Sequence, residues 1–385
     1  MLKVARRALV APFIVMDVMR AAHARAAAGG EVLHLEVGQP STAAPEGVRA
    51  AARKALDSEV LGYTDSFGLP ALRARLALHY RDAYGLAVEA ERIAITCGSS
   101  GAFLLAFIAA FEAGDRVALA SPGYPAYRNI LQALDIEVVE LPTELEHGYQ
   151  PTPELLDRAV REAGKRLDGL VVASPANPTG AMLDAAALAS LADYCRAERI
   201  RLVSDEIYHG LVYGKTAATA LAVTDEAIIV NSFSKYYSMT GWRLGWMVLP
   251  QALLRPVECL AQNLFISPPA LSQHAAMAAF DCRPELEANR RRYADNRALL
   301  LAELPKAGFE RFAPADGAFY LYAEVGHLTN DSAEFCRRLL AETGVAITPG
   351  IDFDPRRGHR TVRFSFAGAT ADMAEAARRL ERWRK

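Results

Sequence analysis

The stretch Gly169-Leu-Val-Val-Ala-Ser-Pro-Ala-Asn-Pro-Thr-Gly180 joins a short apolar run to a polar turn that contains two prolines. An uninterrupted apolar run of this length is typical of a strand buried on both faces, as in a parallel sheet covered by helices. Similar runs occupy residues 92–96, 116–120, 201–204, 227–231 and 244–248, and helical stretches such as 101–113 and 184–198 lie among them. This alternation predicts an α/β domain from about residue 40 to 280.

The chain has 385 residues, which is more than a single core usually accommodates, so two domains are expected. From about residue 285 the pattern changes to a charged helix at 285–304, a helix at 332–343, and strands near 309–312, 318–323 and 361–366. These elements predict a smaller α+β domain. The N-terminal arm, helical at 12–28 and strand-like at 32–37, is expected to join it. The predicted division is an arm at 1–40, a large domain at 41–284 and a small domain at 285–385.

Composition excludes several classes of function. The net charge is −2 and the pI is about 6.5, so no long-range field favours nucleic acid or an anionic membrane. The five cysteines are dispersed and form no CxxC pair, which indicates reduced thiols in the cytoplasm and neither a disulfide framework nor a metal site. No apolar run approaches the roughly 20 residues of a membrane span, and the first twenty residues lack a clear cleavage site. A cytoplasmic location is therefore expected.

Polar side chains follow three of the predicted strands, at the point where each strand ends. Asn177, Asp205 and Lys235 are spaced by about one βαβ unit each. Ligands bind in open α/β sheets beyond the carboxyl ends of the strands, so we expect these three side chains to share one crevice.

Each residue also has a simpler interpretation. Asn177 between two prolines is equally typical of a turn, and Asp205 of a helix cap. Lys235 taken alone is typical of a solvated surface lysine. Arg243 lies between Trp242 and Trp246 beside an apolar strand, where its charge needs a partner, and a phosphate is a natural one.

The stretch Ser232-Phe-Ser-Lys-Tyr-Tyr-Ser-Met-Thr-Gly-Trp-Arg-Leu-Gly-Trp246 resembles the cofactor-lysine signature of class I/II aminotransferases, which have pyridoxal-phosphate (PLP) fold type I. Similar blocks occur in family order along nearly the whole chain: Leu35-Glu-Val-Gly-Gln-Pro40, Gly62-Tyr63, Gly68-Leu-Pro-Ala-Leu-Arg73, Thr96-Cys-Gly-Ser-Ser-Gly101, Ser121-Pro-Gly-Tyr-Pro-Ala-Tyr127, Asn177-Pro-Thr-Gly180, Gly317-Ala-Phe-Tyr320 and Thr361-Val-Arg-Phe-Ser365. The resemblance implies a mostly parallel seven-stranded sheet flanked by helices, with a smaller α+β domain formed by both termini.

The resemblance also implies roles in binding and using PLP. Lys235 would form a Schiff base with the cofactor and shuttle the substrate proton, with a depressed pKa. Asp205 would pair with the pyridine nitrogen, which keeps the ring an electron sink. Asn177 and Tyr208 would bind the phenolic oxygen. Tyr124 would stack on the ring, and its simpler interpretation is a turn aromatic.

The phosphate group would be held by a helix N-terminus, serine hydroxyls and an arginine: Ser99, Ser100, Ser232, Ser234 and Arg243. Tyr63 matches a tyrosine that reaches the phosphate from the neighbouring subunit, which implies a homodimer. The competing interpretation of Tyr63 is a buried core tyrosine.

Substrate binding needs a cation for the α-carboxylate that amino and oxo acids share. Val362, Phe364 and Phe366 occupy one face of a predicted strand, and Arg363 points to the other. The resemblance makes Arg363 the carboxylate anchor, whereas a surface arginine on an edge strand is the alternative. Gly38 would let the backbone approach the substrate closely.

The implied activity is transfer of an amino group from an L-amino acid to a 2-oxo acid in two half-reactions. The phosphate-binding loop Ser99-Ser-Gly-Ala102 contains no lysine that could bind the acidic side chain of a donor such as aspartate. Its absence favours neutral, aliphatic or aromatic donors, with 2-oxoglutarate or pyruvate as the acceptor. The arm residues 13–16 would form an apolar pocket wall or simply pack. The alternatives are another PLP enzyme of the same fold, such as a C–S lyase, and a non-enzymatic ligand-binding protein, against which the intact Lys235 argues.

Overall fold

The computed structural model describes residues 2–384. The chain begins with helix α1 (Ile14–Ala27), strand β1 (Leu33–His34) and helices α2 (Glu46–Ser58) and α3 (Pro70–Tyr84). A large sheet follows, built from β2 (Ile93–Thr96), β3 (Arg116–Ser121), β4 (Glu137–Pro142), β5 (Gly169–Ala173), β6 (Arg201–Asp205), β7 (Ile228–Ser232) and β8 (Gly245–Val248). Its connecting helices are α4 (Gly98–Ala110), α5 (Pro125–Ala133), α6 (Pro153–Ala163) and α7 (Ala185–Glu198).

The remaining elements complete the C-terminal part of the chain. They are helices α8 (Leu254–Leu264), α9 (Ala270–Met277), α10 (Arg283–Glu303), strands β9 (Arg311–Phe312) and β10 (Tyr320–Glu324), helix α11 (Ser332–Thr343), strands β11 (Val345–Ala346), β12 (Thr348–Pro349) and β13 (Thr361–Ser365), and helix α12 (Thr370–Arg384). Within residues 2–384, no helix is both long enough and apolar enough to cross a bilayer.

The large sheet has seven strands in the order β2-β8-β7-β6-β5-β3-β4. Strand β8 runs antiparallel to both of its neighbours and the other pairs are parallel, which confirms the predicted mostly parallel sheet. The core strand β5 has four buried residues out of five, as its apolar run predicts. Helices pack on both faces, and the carboxyl ends of β5, β6 and β7 lie side by side at one edge.

Two details of the large sheet differ from the sequence-based expectation. Strand β4 was not predicted, because it is an edge strand with partly exposed residues and glutamates at positions 137 and 140. Helix α4 begins at Gly98 and ends at Ala110, three residues earlier than predicted. A glycine with a left-handed φ of 68° opens this helix, so Ser99 and Ser100 lie in its first turn.

The C-terminal part contains a four-stranded antiparallel sheet in the order β12-β13-β10-β9. The N-terminal arm joins this part, since β1 pairs in parallel with β11. Val362, Phe364 and Phe366 are fully buried, and the ring of Phe364 packs against that of Phe309. Strand β13 is an interior strand, and Arg363 on its opposite face reaches Asn177 in the turn after β5 of the large sheet.

Candidate active site

The amine of Lys235 lies just beyond the carboxyl end of β7, next to the N-terminal arm. Its Nζ donates a hydrogen bond to the backbone carbonyl of Gly38 at 2.7 Å. Lys235 is partly buried, so its interpretation as a solvated surface lysine is wrong. Burial, followed by the positive charge of Arg363, lowers the pKa of Lys235 to about 8, and the carboxylate of Asp205 partly opposes this shift. The site therefore contains an amine that is partly neutral near physiological pH.

Asp205 ends β6 with its side chain only 3% exposed. Its Oδ1 accepts a hydrogen bond from the backbone N–H of Ile207 at 3.1 Å, and its Oδ2 accepts one from the hydroxyl of Tyr127. Burial raises the pKa of Asp205 to about 7, whereas these two hydrogen bonds favour the charged form. Asp205 caps a turn after β6 and not a helix, which corrects the capping alternative.

Tyr127 was missed as a site residue, although it lies in the sequence block that ends at this position. It follows Tyr124 by three residues in the first turn of α5, so the two rings face the same side and pack edge to face with centroids 5.2 Å apart. Tyr124 is half-buried, and its ring also contacts that of Phe13 from the arm at 5.7 Å. Tyr124 therefore does more than occupy a turn: it forms a wall of the crevice beside Asp205.

Arg363 is 2% exposed, so its interpretation as a surface arginine on an edge strand is wrong. Its Nη1 donates to Oδ1 of Asn177 at 2.8 Å, and its Nη2 donates to the backbone carbonyl of Glu36. Its guanidinium lies between the rings of Tyr320 and Phe353, 4.3 and 4.6 Å from their centroids. Its Nε is buried without a hydrogen-bond partner, so the guanidinium retains a donor for an incoming anion.

Asn177 lies in the turn after β5, as its simpler interpretation predicts, and it also reaches the site. Since Oδ1 of Asn177 accepts from Arg363, the Nδ2 group is the part of the amide that faces other acceptors. Tyr208 follows β6 in the next turn and is 3% exposed. Its hydroxyl lies 2.7 Å from that of Tyr320, and its ring centroid is 5.6 Å from Nζ of Lys235. The three predicted strand ends thus meet as expected.

Gly38 permits a close approach, but the approaching group differs from the expected one. A Cβ atom at Gly38 would lie 1.7 Å from the hydroxyl oxygen of Tyr320. Glycine is therefore required here by a neighbouring side chain of the same chain, and this contact was not visible in the sequence.

The N-terminus of α4 lies beside Arg243. A Cβ atom at Gly98 would come within 2.6 Å of Nη2 of Arg243, so glycine leaves room for this guanidinium against the start of the helix. Arg243 is exposed and donates to the carbonyl of Thr240 at 3.0 Å. Ser99 is partly buried and Ser100 is exposed in the first turn, which has no side-chain cap.

Ser232, the last residue of β7, and Ser234 in the following turn approach the start of α4, because Ser232 pairs with Gly245, whose backbone lies against that of Ser99. Ser232 and Ser234 are buried with their hydroxyl oxygens 2.9 Å apart, and Oγ of Ser232 accepts from the backbone N–H of Ser234 at 3.0 Å. This tight turn leads directly to Lys235. Free N–H groups at a helix N-terminus, one exposed guanidinium and nearby hydroxyls suit a phosphate dianion.

Tyr63 is not part of the group of phosphate-binding candidates within its own chain. It lies in the loop between α2 and α3 with 84% of its surface exposed, so its interpretation as a buried core tyrosine is wrong. The same loop contains Val60, which is 98% exposed.

The residues of the crevice fit PLP as a bound group. The unpaired Nε of Arg363 and the guanidinium of Arg243 beside the start of α4 offer two anion-binding positions, for a carboxylate and for a phosphate. Between them lie an amine with a lowered pKa and a carboxylate deep enough to meet a protonated pyridine nitrogen. These are the groups that a phosphorylated aromatic aldehyde and an α-amino acid would require.

Comparison with known proteins agrees with this geometry. A family model described as "Aminotransferase class I and II" matches residues 30–380. A curated relative, the valine–pyruvate aminotransferase of Mycobacterium tuberculosis, is 53% identical over 385 residues, which cover 99% of this chain and 98% of the relative. The crystal structure of an aminotransferase from Mycobacterium tuberculosis superposes with a TM-score of 0.96 at 52% identity, covering 100% of this chain and 99% of the other. Aspartate aminotransferase from Thermus thermophilus with maleate has a TM-score of 0.93 at 32% identity, covering 99% and 100%.

Proposed function

This chain belongs to the class I and II aminotransferases, and from that premise we propose that its donor is valine or a similar neutral amino acid and its acceptor pyruvate. The reaction itself is PLP-dependent transfer of an amino group from an amino acid to a 2-oxo acid. The 53% identity to a valine–pyruvate aminotransferase supports these substrates.

In our proposal, Lys235 holds the cofactor covalently and later moves the substrate proton. PLP supplies an aldehyde that carries the amino group and an aromatic system that accepts electrons from the substrate Cα. With PLP and substrate bound, the Nζ of Lys235 would take the proton from the substrate Cα. Its pKa of about 8 supports this role, because an effective base has a pKa near the working pH. Asp205 keeps a proton on the pyridine nitrogen.

The other crevice residues orient the cofactor and substrate. Nδ2 of Asn177 and the hydroxyl of Tyr208 donate to the phenolic oxygen, and Tyr124 stacks on the ring. Arg363 binds the α-carboxylate next to Asn177 and the backbone at Gly38. The phosphate is held by the start of α4, by the partner's Tyr63, and by hydroxyl and guanidinium groups of five residues of this chain: Ser99, Ser100, Ser232, Ser234 and Arg243. The packing of these residues around one crevice supports this assignment.

A neutral donor side chain is supported by the charges of the site. The cations whose charge acts on Lys235 are Arg363 and Arg243, and each already has an anion to bind in this proposal. The first turn of α4 contributes no further cation, and the arm contributes apolar Phe13 beside Tyr124. An acidic side chain would therefore be desolvated without a partner, at a cost of several kcal/mol.

We expect valine with pyruvate to exceed aspartate with either pyruvate or 2-oxoglutarate by about 100-fold or more in kcat/KM. The measurement is a panel of valine, alanine, isoleucine, phenylalanine and aspartate against both acceptors. A half-reaction with valine alone should convert the absorbance of bound PLP to that of its amino form without releasing ammonia. Aspartate as the best donor would refute the proposed substrate class, and ammonia release would indicate a lyase.

We also propose that the protein is a homodimer with shared active sites. Gln273 in α9 donates to Oγ1 of Thr64 at 3.2 Å and to the carbonyl of Pro268 at 3.0 Å, which joins the loop of Tyr63 to the segment after α8. The loop of Tyr63 and the segment at the end of α8 expose four apolar side chains, which we call the interface patch: Val60, Tyr63, Leu264 and Ile266. A cavity of about 670 Å³ is lined in part by Arg243 and by Ser272, the residue that precedes Gln273 in α9. A patch of this kind favours a second copy as its partner, whose Tyr63 would enter the cavity.

Mixed dimers test the shared site directly. We expect Lys235→Ala and Tyr63→Ala each to be strongly impaired as pure proteins. Dissociating and reassociating them together should recover about a quarter of wild-type activity, because random mixing makes half of the dimers hybrids with one complete site each. Sedimentation before and after mixing confirms the assembly state. Absence of recovery, with hybrids present, would mean that Tyr63 acts within its own subunit or not at all.

A cytoplasmic location and the division into an arm (1–40), a large domain (41–284) and a small domain (285–385) are part of the same proposal. All five cysteines are free, and Cys195, Cys282 and Cys336 are buried, which suits a reducing compartment. The pairing of β1 with β11 supports grouping the arm with the small domain. Fractionation of cells and limited proteolysis near residues 40 and 285 test the two statements.

A further inference from the structure

Tyr320 lies at the centre of the crevice, although no role in the proposed function requires it. It begins β10 in the small domain and is 1% exposed. Its hydroxyl is 2.7 Å from that of Tyr208, which follows β6 of the large sheet. The guanidinium of Arg363 lies over the ring of Tyr320, 4.3 Å from the ring centroid. One side chain thus contacts both the cofactor-facing tyrosine and the carboxylate-binding arginine.

The direction of the hydrogen bond follows from the proposed role of Tyr208. A phenol has one proton to donate, and Tyr208 must give its own to the phenolic oxygen of the cofactor. The hydroxyl of Tyr208 can then only accept from Tyr320, so the proton of Tyr320 lies between the two oxygens. In a buried site, such a chain of hydroxyls strengthens its terminal hydrogen bond, because each bond polarises the next.

The contact with Gly38 indicates that this position of Tyr320 is built into the chain. A Cβ atom at Gly38 would lie 1.7 Å from the Tyr320 hydroxyl oxygen and 2.6 Å from its Cζ atom, so only glycine admits the phenol here. The carbonyl of the same glycine accepts the hydrogen bond from Lys235. The hydroxyl of Tyr320 is therefore held where it reaches Tyr208, and this arrangement constrains a residue 282 positions away in the chain.

We propose that Tyr320 is a positioning residue with two separable functions. Its hydroxyl donates to Tyr208 and makes Tyr208 a stronger donor to the cofactor. Its ring supports the guanidinium of Arg363 in the orientation that binds the substrate carboxylate. The first function rests on the proposed role of Tyr208, and the second on that of Arg363.

The test of the first function is the pKa of the chromophore that PLP forms with Lys235, measured by absorbance against pH without substrate. Tyr208→Phe should raise this pKa by about 1 unit, and Tyr320→Phe should raise it by about 0.5 unit, since a hydrogen bond to the phenolic oxygen favours the deprotonated form. The double variant should match Tyr208→Phe, because the Tyr320 hydroxyl acts only through Tyr208. The control is Tyr322→Phe, which removes the hydroxyl of another buried tyrosine of β10. That hydroxyl forms a hydrogen bond with Oγ1 of Thr361 at 2.7 Å.

The test of the second function is the affinity of 3-methylbutanoate, a carboxylate without an amino group, for the same holoenzyme. Tyr320→Phe keeps the ring and should leave this affinity unchanged, whereas Tyr320→Leu should weaken it about fivefold or more. Thermal unfolding of each variant separates these effects from a loss of folding.

The outcomes distinguish this inference from the proposed function. A chromophore pKa that rises in Tyr208→Phe but not in Tyr320→Phe would overturn the relay and leave the role of Tyr208 intact. An additive double variant would mean that the Tyr320 hydroxyl acts without Tyr208, which also contradicts the relay. No shift in either single variant would overturn both assignments, while the half-reaction with valine would still report transamination independently.

Discussion

Replacement of Lys235 with alanine is expected to lower kcat for valine and pyruvate by about 10⁴-fold or more, because in the proposed mechanism one side chain supplies both covalent attachment and the base. The crevice would otherwise keep most of its proposed cofactor contacts, since the start of α4, Arg243 and Asp205 lie on other elements. The variant should therefore still bind PLP weakly, and treatment with borohydride should no longer attach the cofactor to the protein. Both changes are measured on purified holoenzyme, by steady-state kinetics and by intact-protein mass.

The matched control is Lys215→Ala, which removes an exposed lysine paired with Asp316 at 2.6 Å. It should retain activity and covalent trapping. In the wild-type apoenzyme, the rate of cofactor attachment should rise with pH and level off above about 8, because only the neutral amine attacks the aldehyde and burial lowers the pKa of Lys235 to this value. Normal turnover in Lys235→Ala, or trapping at another lysine, would contradict the assignment.

Substitution of Arg363 with lysine is expected to raise KM for both valine and pyruvate by about 100-fold. The guanidinium is planar, lies between the rings of Tyr320 and Phe353 and presents its donors as a fork, whereas an ammonium cannot bind a carboxylate through two parallel hydrogen bonds. Asn177 and the carbonyl of Glu36 would also lose a donor. Since the substrate carboxylate is bound before and during the reaction, kcat should change less than KM.

Steady-state kinetics with each substrate varied separately measures this effect. Arg311→Lys is the matched control, because it changes an exposed arginine of the same sheet that pairs with Glu324 at 3.2 Å. The control should leave both KM values unchanged. An Arg363→Lys variant with normal KM values and a lowered melting temperature would show that Arg363 serves folding and not substrate binding.

The strand ends could be predicted from the sequence because strands buried on both faces need adjacent apolar residues, and the change to polar residues marks where they end. Asn177, Asp205 and Lys235 follow such runs, and all three lie at the same edge of the sheet. Strand β4 could not be recognised in the same way, because an edge strand tolerates partly exposed residues such as Glu137 and Glu140.

The alternation of β13 also predicted which face Arg363 occupies, since successive side chains of a strand point to opposite sides. Its burial was not predictable from that strand alone. It depends on β13 lying between β12 and β10, and on ring contacts with Phe353 and Tyr320 from other segments. Similarly, the sequence block around Tyr124 contained Tyr127, but only the folded chain brings its hydroxyl to Asp205.

The sequence by itself determined the mostly parallel sheet, the family and the residues that follow its strands, because these depend on local apolar patterns and on motifs read along the chain. Only the tertiary structure decided that Tyr320 contacts Tyr208 from 112 positions away, that Gly38 accommodates Tyr320, and that the carbonyl of Glu36 holds Arg363. Two of these contacts join the N-terminal arm to β10 and β13 in the C-terminal part of the chain, and the third joins β10 to the turn after β6. Their geometry depends on how the two sheets pack, and no local pattern encodes that packing.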